Sequence, residues 1–321
     1  MPLMLHSLTE HRAVIFGCLE AVGATSVVEV GSEFGGFTSD LAQWAADRGG
    51  QAASVEPFPA DTIRELDRTS DHFRLVEGRS PEALHDLPPA DAYVLDGDHT
   101  YWTVLGELKT LAELAGDDRP HPLVILHDVG WPSGRRDQYY SPDALPAEHV
   151  HPHTWDQGVV PGNSGVVEGG FRGEGQFAVA VEEGGPHSGV LTAVEDYLAD
   201  RPDLVYAHVP SVFGLGVVYP RSSEAAGRLE AVLAPYDRAS HLERLEQNRI
   251  ASLLRIIELQ DQLQAMTARE QAMTAREVAA SAVRSRLIVQ YADRLAAAEA
   301  ENAALRLEQQ RRSASIAGQY T

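Results

Sequence analysis

Two short clusters of acids and histidines follow apolar runs in the first half of the chain. They read Asp96-Gly97-Asp98-His99 and His127-Asp128. If both runs are parallel strands, the clusters lie at the carboxyl edge of a sheet, where open α/β sheets bind their ligands. Two carboxylates there would repel each other unless a cation or a proton lay between them. Because hard oxygen ligands suit magnesium or a similar divalent ion, the pattern predicts a metal site at Asp96 and Asp128.

Asp98 also has a structural interpretation, as the cap of a helix that begins near Tyr101.

The third group of candidates is the alternating set His149, His151 and His153. On an extended backbone the three rings would share one face and could chelate a metal. We favour polar lid residues over an acceptor pocket, in a loop at 130–175 that also carries Trp131, Arg135, Arg136, Tyr139, Tyr140 and Trp155.

Another candidate site is the turn after the first apolar run, which reads VVEVGSEFGGFT from Val27 to Thr38. Glycines let a backbone approach a ligand, and a helix N-terminus offers free N–H donors. The spacing is not GxGxxG, so the dinucleotide fingerprint fits poorly. An ordinary strand-turn-helix with surface acids is the alternative.

This turn resembles motif I of class I S-adenosylmethionine (SAM) methyltransferases. In that family the acid and the glycines surround the methionine part of the cofactor, and an acid ending the second strand holds the ribose hydroxyls. Glu56 stands at that second position. The resemblance implies cofactor binding by Glu29, Gly31, Gly35, Phe37, Thr38, Glu56 and Asp96.

The DGDHTY and HDV segments resemble macrocin-type sugar O-methyltransferases and proteins related to cephalosporin hydroxylase, over about residues 20–220. The resemblance implies that Asp96, His127 and Asp128 bind a divalent metal, with magnesium expected, and that His99 is the general base. His127 stands where the macrocin type has an acid, which shifts the preference toward a softer metal. The implied activity is SAM-dependent O-methylation of a sugar-containing metabolite or glycan.

The order of apolar runs predicts the fold that must position these residues. Residues 1–220 alternate β-rich and helical stretches, the pattern of a doubly wound, mostly parallel sheet. The segments LVYAHVP and FGLGVVYP, separated by a tight turn at Ser211, predict an antiparallel hairpin on the sheet edge. The predicted strands are 26–31, 52–57, 72–78, 91–98 and 122–129, and the predicted helices are 37–48, 61–69, 80–85, 101–115 and 189–199.

The last quarter of the chain has a different character. No proline follows Pro235, and no glycine lies between Gly227 and Gly318, so a long helix is predicted. QAMTARE occurs twice in succession, and seven residues is the coiled-coil period. The apolar seam has Leu242, Ile256 and Leu263 at a positions and Leu245, Leu259, Met266 and Met273 at d.

These patterns predict a methyltransferase domain at 1–235, a helix or coiled coil at 236–312 and a disordered tail at 313–321. We expect the coil to join copies of the chain into a homo-oligomer. A long helix folded back on its own domain is the alternative.

Composition narrows the function further. The 321 residues are 44% apolar and 23% charged, enough to bury a core. Asp and Glu outnumber Lys and Arg by 47 to 26, and a net charge of −21 disfavours nucleic-acid binding. No apolar stretch is long enough to span a membrane. A single cysteine, Cys18, and no signal-peptide pattern predict a cytoplasmic protein.

Two rival functions remain at this stage. One is a nicotinamide oxidoreductase on the same kind of sheet. The other is an interaction protein whose sheet domain has lost catalysis and whose coil recruits partners.

Overall fold

The computed structural model describes residues 8–32, 34–117 and 119–317. The strands in this part of the chain are β1 Ser26–Val30, β2 Gln51–Glu56, β3 Phe73–Glu77, β4 Ala92–Leu95, β5 Leu123–His127, β6 Gln138–Tyr139, β7 His153–Thr154, β8 Ala178–Ala180, β9 Leu204–Val209 and β10 Leu215–Pro220. The α-helices are α1 Arg12–Val22, α2 Gly36–Asp47, α3 Asp61–Thr69, α4 Tyr101–Ala115, α5 Val190–Ala199, α6 Ala226–Leu233 and α7 Ser240–Ala317.

Seven strands form the main sheet, in the order β3-β2-β1-β4-β5-β10-β9. Strands β1 to β5 run parallel, and β10 is antiparallel to both β5 and β9. The predicted doubly wound sheet and its antiparallel edge hairpin are therefore confirmed. In this order β1, β4 and β5 are adjacent, so the turns that follow them meet at one edge.

Successive residues of the central strands enter cores on opposite faces of the sheet, as the period of a strand requires. Val27 packs with residues of α1, α2 and α6, whereas Val28 packs with residues of α4 and α5. Strands covered on both faces read as nearly continuous apolar runs. Glu29 departs from that rule, because it is a fully buried carboxyl in the middle of β1.

The region predicted as a loop, 130–175, contains regular structure. Strands β6 and β7 pair with β8 in a small antiparallel sheet, in the order β6-β8-β7. Sequence periodicity missed this sheet because two of its strands are only two residues long. The segment is therefore held by backbone pairing above the main sheet edge, with His99 bridged to Gln138.

The chain divides into two compact units, Met1–Glu258 and Leu259–Thr321. The boundary lies inside α7, whose first turns belong to the first unit, where Ile250 and Leu253 are buried. The second unit is helical in its described part, and Leu259 and Leu263 are exposed there. Helix α7 continues into the predicted tail as far as Ala317, and 318–321 lie outside the described residues.

No helix among the described residues has the length and hydrophobicity needed to cross a bilayer.

Candidate active site

The glycine turn after β1 is shaped by the close approach of β4. Gly31 has φ +85°, and a Cβ there would lie 2.2 Å from the carbonyl oxygen of Asp96. Gly35 also has a positive φ, +82°, and a Cβ on it would lie 3.0 Å from the side chain of Ile63. Both positions therefore require glycine for the backbone alone. The turn brings the start of α2 to the sheet edge.

Three buried polar atoms around this turn have no hydrogen-bond partner within the described protein: Oε2 of Glu29, Oγ of Ser32 and Oγ1 of Thr38. Buried polar groups are normally paired, so this cluster is suited to a polar ligand. Burial raises the pKa of Glu29 to about 8. Phe37, expected to bind cofactor, turns its side chain into the core, where it stacks on Phe16 at 5.7 Å.

Glu56, at the end of β2, is fixed by two backbone amides. Its Oε2 accepts from the N–H of Ser32 at 3.0 Å, and its Oε1 accepts from the N–H of Phe58 at 3.0 Å. The first bond ties the carboxylate to the glycine turn. Beside it, the Phe58 ring is 73% exposed, with the Arg79 guanidinium 5.4 Å from its centroid. An exposed ring next to a fixed carboxylate is a surface on which a nucleoside can stack.

The acid–histidine clusters that follow β4 and β5 come together. Nδ1 of His127 lies 3.1 Å from Oδ1 of Asp96 and 3.1 Å from Oδ2 of Asp128. Nε2 of His99 lies 3.4 Å and 3.2 Å from the same two oxygens. The possible ligand atoms of Asp96, His99 and Asp128 all lie within 4.8 Å of one another. Two oxygens and an imidazole nitrogen so close together fit a divalent cation.

The four groups compensate one another electrostatically. Burial alone would raise the pKa values of Asp96 and Asp128, but the two imidazoles outweigh it and hold both below their ordinary values. Burial opposes the charge of His99, yet Asp128 and Asp96 raise its pKa to about 9. The pKa of His127 is raised by the same carboxylates. The carboxylates therefore favour the protonated form of both imidazoles, and a bound cation would replace those protons.

Asp128 occupies a strained backbone position. Its φ is +59°, in the left-handed region that non-glycine residues seldom adopt. Such strain is concentrated at functional sites, where the surrounding structure imposes it. The segment after Asp128 is tied to the turn between β9 and β10, where the N–H of Gly130 donates to the carbonyl of Phe213 at 2.6 Å.

Asp98 supports the start of α4 without being its cap. Thr100 is the N-cap, and its Oγ1 accepts from the N–H of Thr103. Asp98 in turn accepts hydrogen bonds from the hydroxyls of Thr100 at 2.9 Å and Thr103 at 2.7 Å. Thr100 was missed because the acid two residues earlier is an equally good capping residue by type. The pair sets the direction in which His99 leaves the strand end.

The three loop histidines do not converge. His149 stacks on Trp102 at 3.6 Å, Nε2 of His151 lies 2.9 Å from the carbonyl of His187, and the His153 ring lies 5.3 Å from that of Tyr139. His149 ends a 3-10 helix, so the extended backbone that a shared face requires is absent there.

Two arginines of the same loop make contacts within the protein. Arg135 pairs with Glu195 at 2.6 and 2.7 Å, and buried Arg136 donates to loop carbonyls including that of Ala180. Neither guanidinium lies free for an anionic acceptor. The Tyr140 side chain is 45% exposed, and its ring centroid is 5.6 Å from that of His99.

Residues 28–129 match a family model described as a methyltransferase domain. The predicted enzyme class is thereby confirmed, and the match favours neither the oxidoreductase nor the inactive interaction protein. The matched residues include both ends of the site, from the glycine turn to Asp128. No curated protein matches the sequence.

Several solved structures are similar to this chain over part of its length. The SAH-bound methyltransferase PaMTH1 of Podospora anserina is 13% identical, with 67% of this chain and 79% of that chain covered, at a TM-score of 0.41. An O-methyltransferase of Bacillus cereus in complex with SAH is 12% identical, with 68% and 84% covered, at 0.39. Cofactor-bound Rv0187 from MTB is 16% identical, with 70% and 84% covered, at 0.40. At such identities and scores, the acceptors of these proteins say nothing about the acceptor here.

Proposed function

We propose that the protein is a SAM-dependent O-methyltransferase that uses a divalent cation at Asp96 and Asp128. The proposal rests on one observation: two groups of polar residues lie next to each other at the same edge of the sheet. One is a glycine turn with three unpartnered polar atoms, and the other is a buried acid–histidine cluster. Asp96 belongs to both sites. Its carbonyl oxygen packs against Gly31 of the glycine turn, and its carboxylate is part of the acid–histidine cluster.

The residues of the chain would divide the work as follows. Glu56 and the Glu29–Thr38 turn bind and orient SAM, which supplies the methyl group. Asp96, Asp128 and Nδ1 of His127 would hold a divalent cation, which when bound would lower the pKa of a nearby acceptor hydroxyl. His99 accepts the proton of that hydroxyl. Methyl transfer is an in-line displacement, so orientation and deprotonation are the main contributions required of a protein.

His99 has a competing role as a metal ligand, because its Nε2 belongs to the 4.8 Å group. His127 fits the ligand role well, since its Nε2 lies 2.9 Å from the carbonyl of Val212 and must donate there. Once a cation displaced the Nδ1 proton, that bond would leave the Nδ1 lone pair available to the cation beside the two carboxylates. We therefore keep His127 as ligand and His99 as base.

The acceptor we propose is a hydroxyl of a sugar-containing metabolite or glycan. Tyr140, partly exposed and with its ring centroid 5.6 Å from that of His99, offers an aromatic surface against which a sugar ring can pack. Screening turnover against free sugars, glycosides and phenols tests this part of the proposal. Methylation of phenols alone would overturn the sugar assignment while leaving the methyltransferase assignment intact.

Replacing Glu56 by alanine is expected to weaken SAM and S-adenosylhomocysteine binding roughly ten- to a hundredfold. The loss of charge-assisted hydrogen bonds to the ribose costs about 1.5–3 kcal/mol. Isothermal titration with SAM, and with NAD as the rival ligand, measures the effect. Glu65→Ala, on exposed α3, is the control. Unchanged affinity in Glu56→Ala would remove that residue from the site, and binding of NAD instead of SAM would overturn the proposed function.

Replacing His99 by alanine is expected to lower kcat while leaving SAM affinity and metal affinity unchanged. A base acts on the acceptor, whereas a ligand acts on the cation. Titration of the variant with Mn²⁺ separates the two roles. A tenfold or larger loss of Mn²⁺ affinity would assign His99 as a ligand and leave the base unidentified.

Self-association through α7 is also part of the proposal. The predicted seam residues Leu259, Leu263, Met266 and Met273 are all about half exposed or more in the second unit. A stripe of that kind normally requires a covering helix. A cytoplasmic location is proposed as well, since the chain's one cysteine, Cys18, is a buried free thiol.

A further inference from the structure

The turn between β9 and β10 has an unusual backbone. Val212 has φ +45° and Phe213 has φ +65°. The left-handed region is especially unfavourable for a β-branched residue such as valine. Neither residue prefers this conformation, so contacts outside the turn must hold it.

Glu246, in the second turn of α7, makes those contacts. Its Oε2 accepts from the N–H of Val212 at 2.9 Å, and its Oε1 accepts from the N–H of Phe213 at 2.9 Å. Arg249 fixes the carboxylate through two bonds of 2.6 Å and lies over the Phe213 ring at 4.3 Å. The Glu246 carboxylate therefore accepts hydrogen bonds from two adjacent N–H groups of the turn, those of Val212 and Phe213, which are not paired within the sheet.

The opposite side of the same turn faces the acid–histidine cluster. The carbonyl of Val212 lies 2.9 Å from Nε2 of His127, and Nε2 of His11 lies 3.4 Å from it. The carbonyl of Phe213 accepts from Gly130, two residues after Asp128. A Cβ on Gly214 would lie 2.6 Å from the nitrogen of Gly130, so the two turns are packed without slack.

We infer that Glu246 is a positioning residue for the metal site: it locks the 211–214 turn so that the Val212 carbonyl holds His127 with Nδ1 toward Asp96 and Asp128. The part of the inference that concerns the metal rests on the proposed function. The effect of Glu246 on the orientation of His127 does not depend on it. Glu246 falls within the helix or coiled coil predicted at 236–312, at an e position of the heptad that begins at Leu242, where acids are common. Only the structure shows its carboxylate directed at the hairpin.

The test uses the full chain with Glu246→Ala, Glu246→Gln and Glu243→Ala. Glu243 is an exposed acid in the same part of α7, so its variant removes the same charge without touching the turn. The first readout is the ¹⁵N histidine spectrum of the metal-free protein, with His127→Gln used to assign the signal. The second is Mn²⁺ affinity by electron paramagnetic resonance, and the third is affinity for S-adenosylhomocysteine.

In Glu246→Ala we expect the His127 Nε2 and Nδ1 signals to move toward those of a free imidazole. We expect Mn²⁺ affinity to fall roughly ten- to a hundredfold, as when other outer partners of a metal-ligating histidine are removed. S-adenosylhomocysteine affinity should stay within twofold of wild type. Glu246→Gln keeps one acceptor oxygen, so its histidine signals and Mn²⁺ affinity should lie between those of wild type and Glu246→Ala. Glu243→Ala should match wild type in all three readouts.

A wild-type His127 spectrum in Glu246→Ala would overturn the inference. If the alanine variant does not fold, the same spectrum in Glu246→Gln decides it. Asp96→Asn separates this inference from the proposed function. Wild-type Mn²⁺ affinity in Asp96→Asn would overturn the metal site, whereas the histidine spectrum would still report on the link from Glu246 to His127.

Discussion

EDTA treatment is expected to abolish turnover, and Mg²⁺ or Mn²⁺ is expected to restore it. Asp128 is buried and Asp96 is partly buried, and the only compensating charges near them among the described residues are the imidazoles of His99 and His127. A sugar hydroxyl is a poor nucleophile at neutral pH, so loss of the cation removes its activation. Initial rates in EDTA, and after adding excess of each metal, measure the effect. Binding of S-adenosylhomocysteine should persist in EDTA, because neither Glu56 nor the Glu29–Thr38 turn supplies a ligand of the proposed cation.

Asp96→Asn and Asp128→Asn should behave like the chelated enzyme, with turnover lost and not restored by metal. Asp61→Asn, at a fully exposed acid of α3, is the matched control and should keep wild-type rates. Full activity in EDTA would exclude the cation and leave His99 as a candidate base. Restoration of the Asp96 variant by excess Mg²⁺ would show that its carboxylate is not a required ligand.

The fold could be predicted from the sequence because its signals are local. Apolar runs such as SVVEVG and PLVILH are long enough to identify buried parallel strands, and their order along the chain fixes which ends become adjacent. For this reason Asp96 and Asp128 could be expected to meet before any coordinates were known. The small sheet of β6, β7 and β8 lacked such a signal, since a two-residue strand has no period to detect.

The rest of the candidate site depends on contacts between distant parts of the chain. Glu246 lies 34 residues after Val212, and nothing in its helical surroundings distinguishes it from the other acids of α7. Arg135 and Arg136 show the same dependence on distant contacts. Guanidinium groups in a loop are typical of anion binding, but these two are occupied by Glu195 and by loop carbonyls. The residue type indicates which groups a side chain can bind. It does not indicate whether other residues of the protein already bind that side chain.

The position at which α7 leaves the first unit changes what truncation should do. A chain ending at Pro235, the boundary suggested by composition, would lose Glu246 and also Leu253, which is buried beside Phe171 and Phe213. Loss of buried Ile250 and Leu253 removes roughly 3–6 kcal/mol of hydrophobic stabilisation. The amides of Val212 and Phe213 would lose their acceptor as well. A chain ending at Glu258 keeps all of these contacts.

We therefore expect residues 1–258 to fold, to bind S-adenosylhomocysteine like the full chain, and to form a smaller assembly. Residues 1–235 should melt at a temperature lower by about 10 °C or more. The difference in assembly arises because Leu259, Leu263, Met266 and Met273 are removed from both truncated chains, and a heptad seam needs a partner helix. Light scattering gives the assembly, and calorimetry gives the melting temperature. A full chain that is monomeric at micromolar concentration would exclude self-association through α7, and equal melting temperatures for the two truncated chains would show that residues 240–258 do not stabilise the first unit.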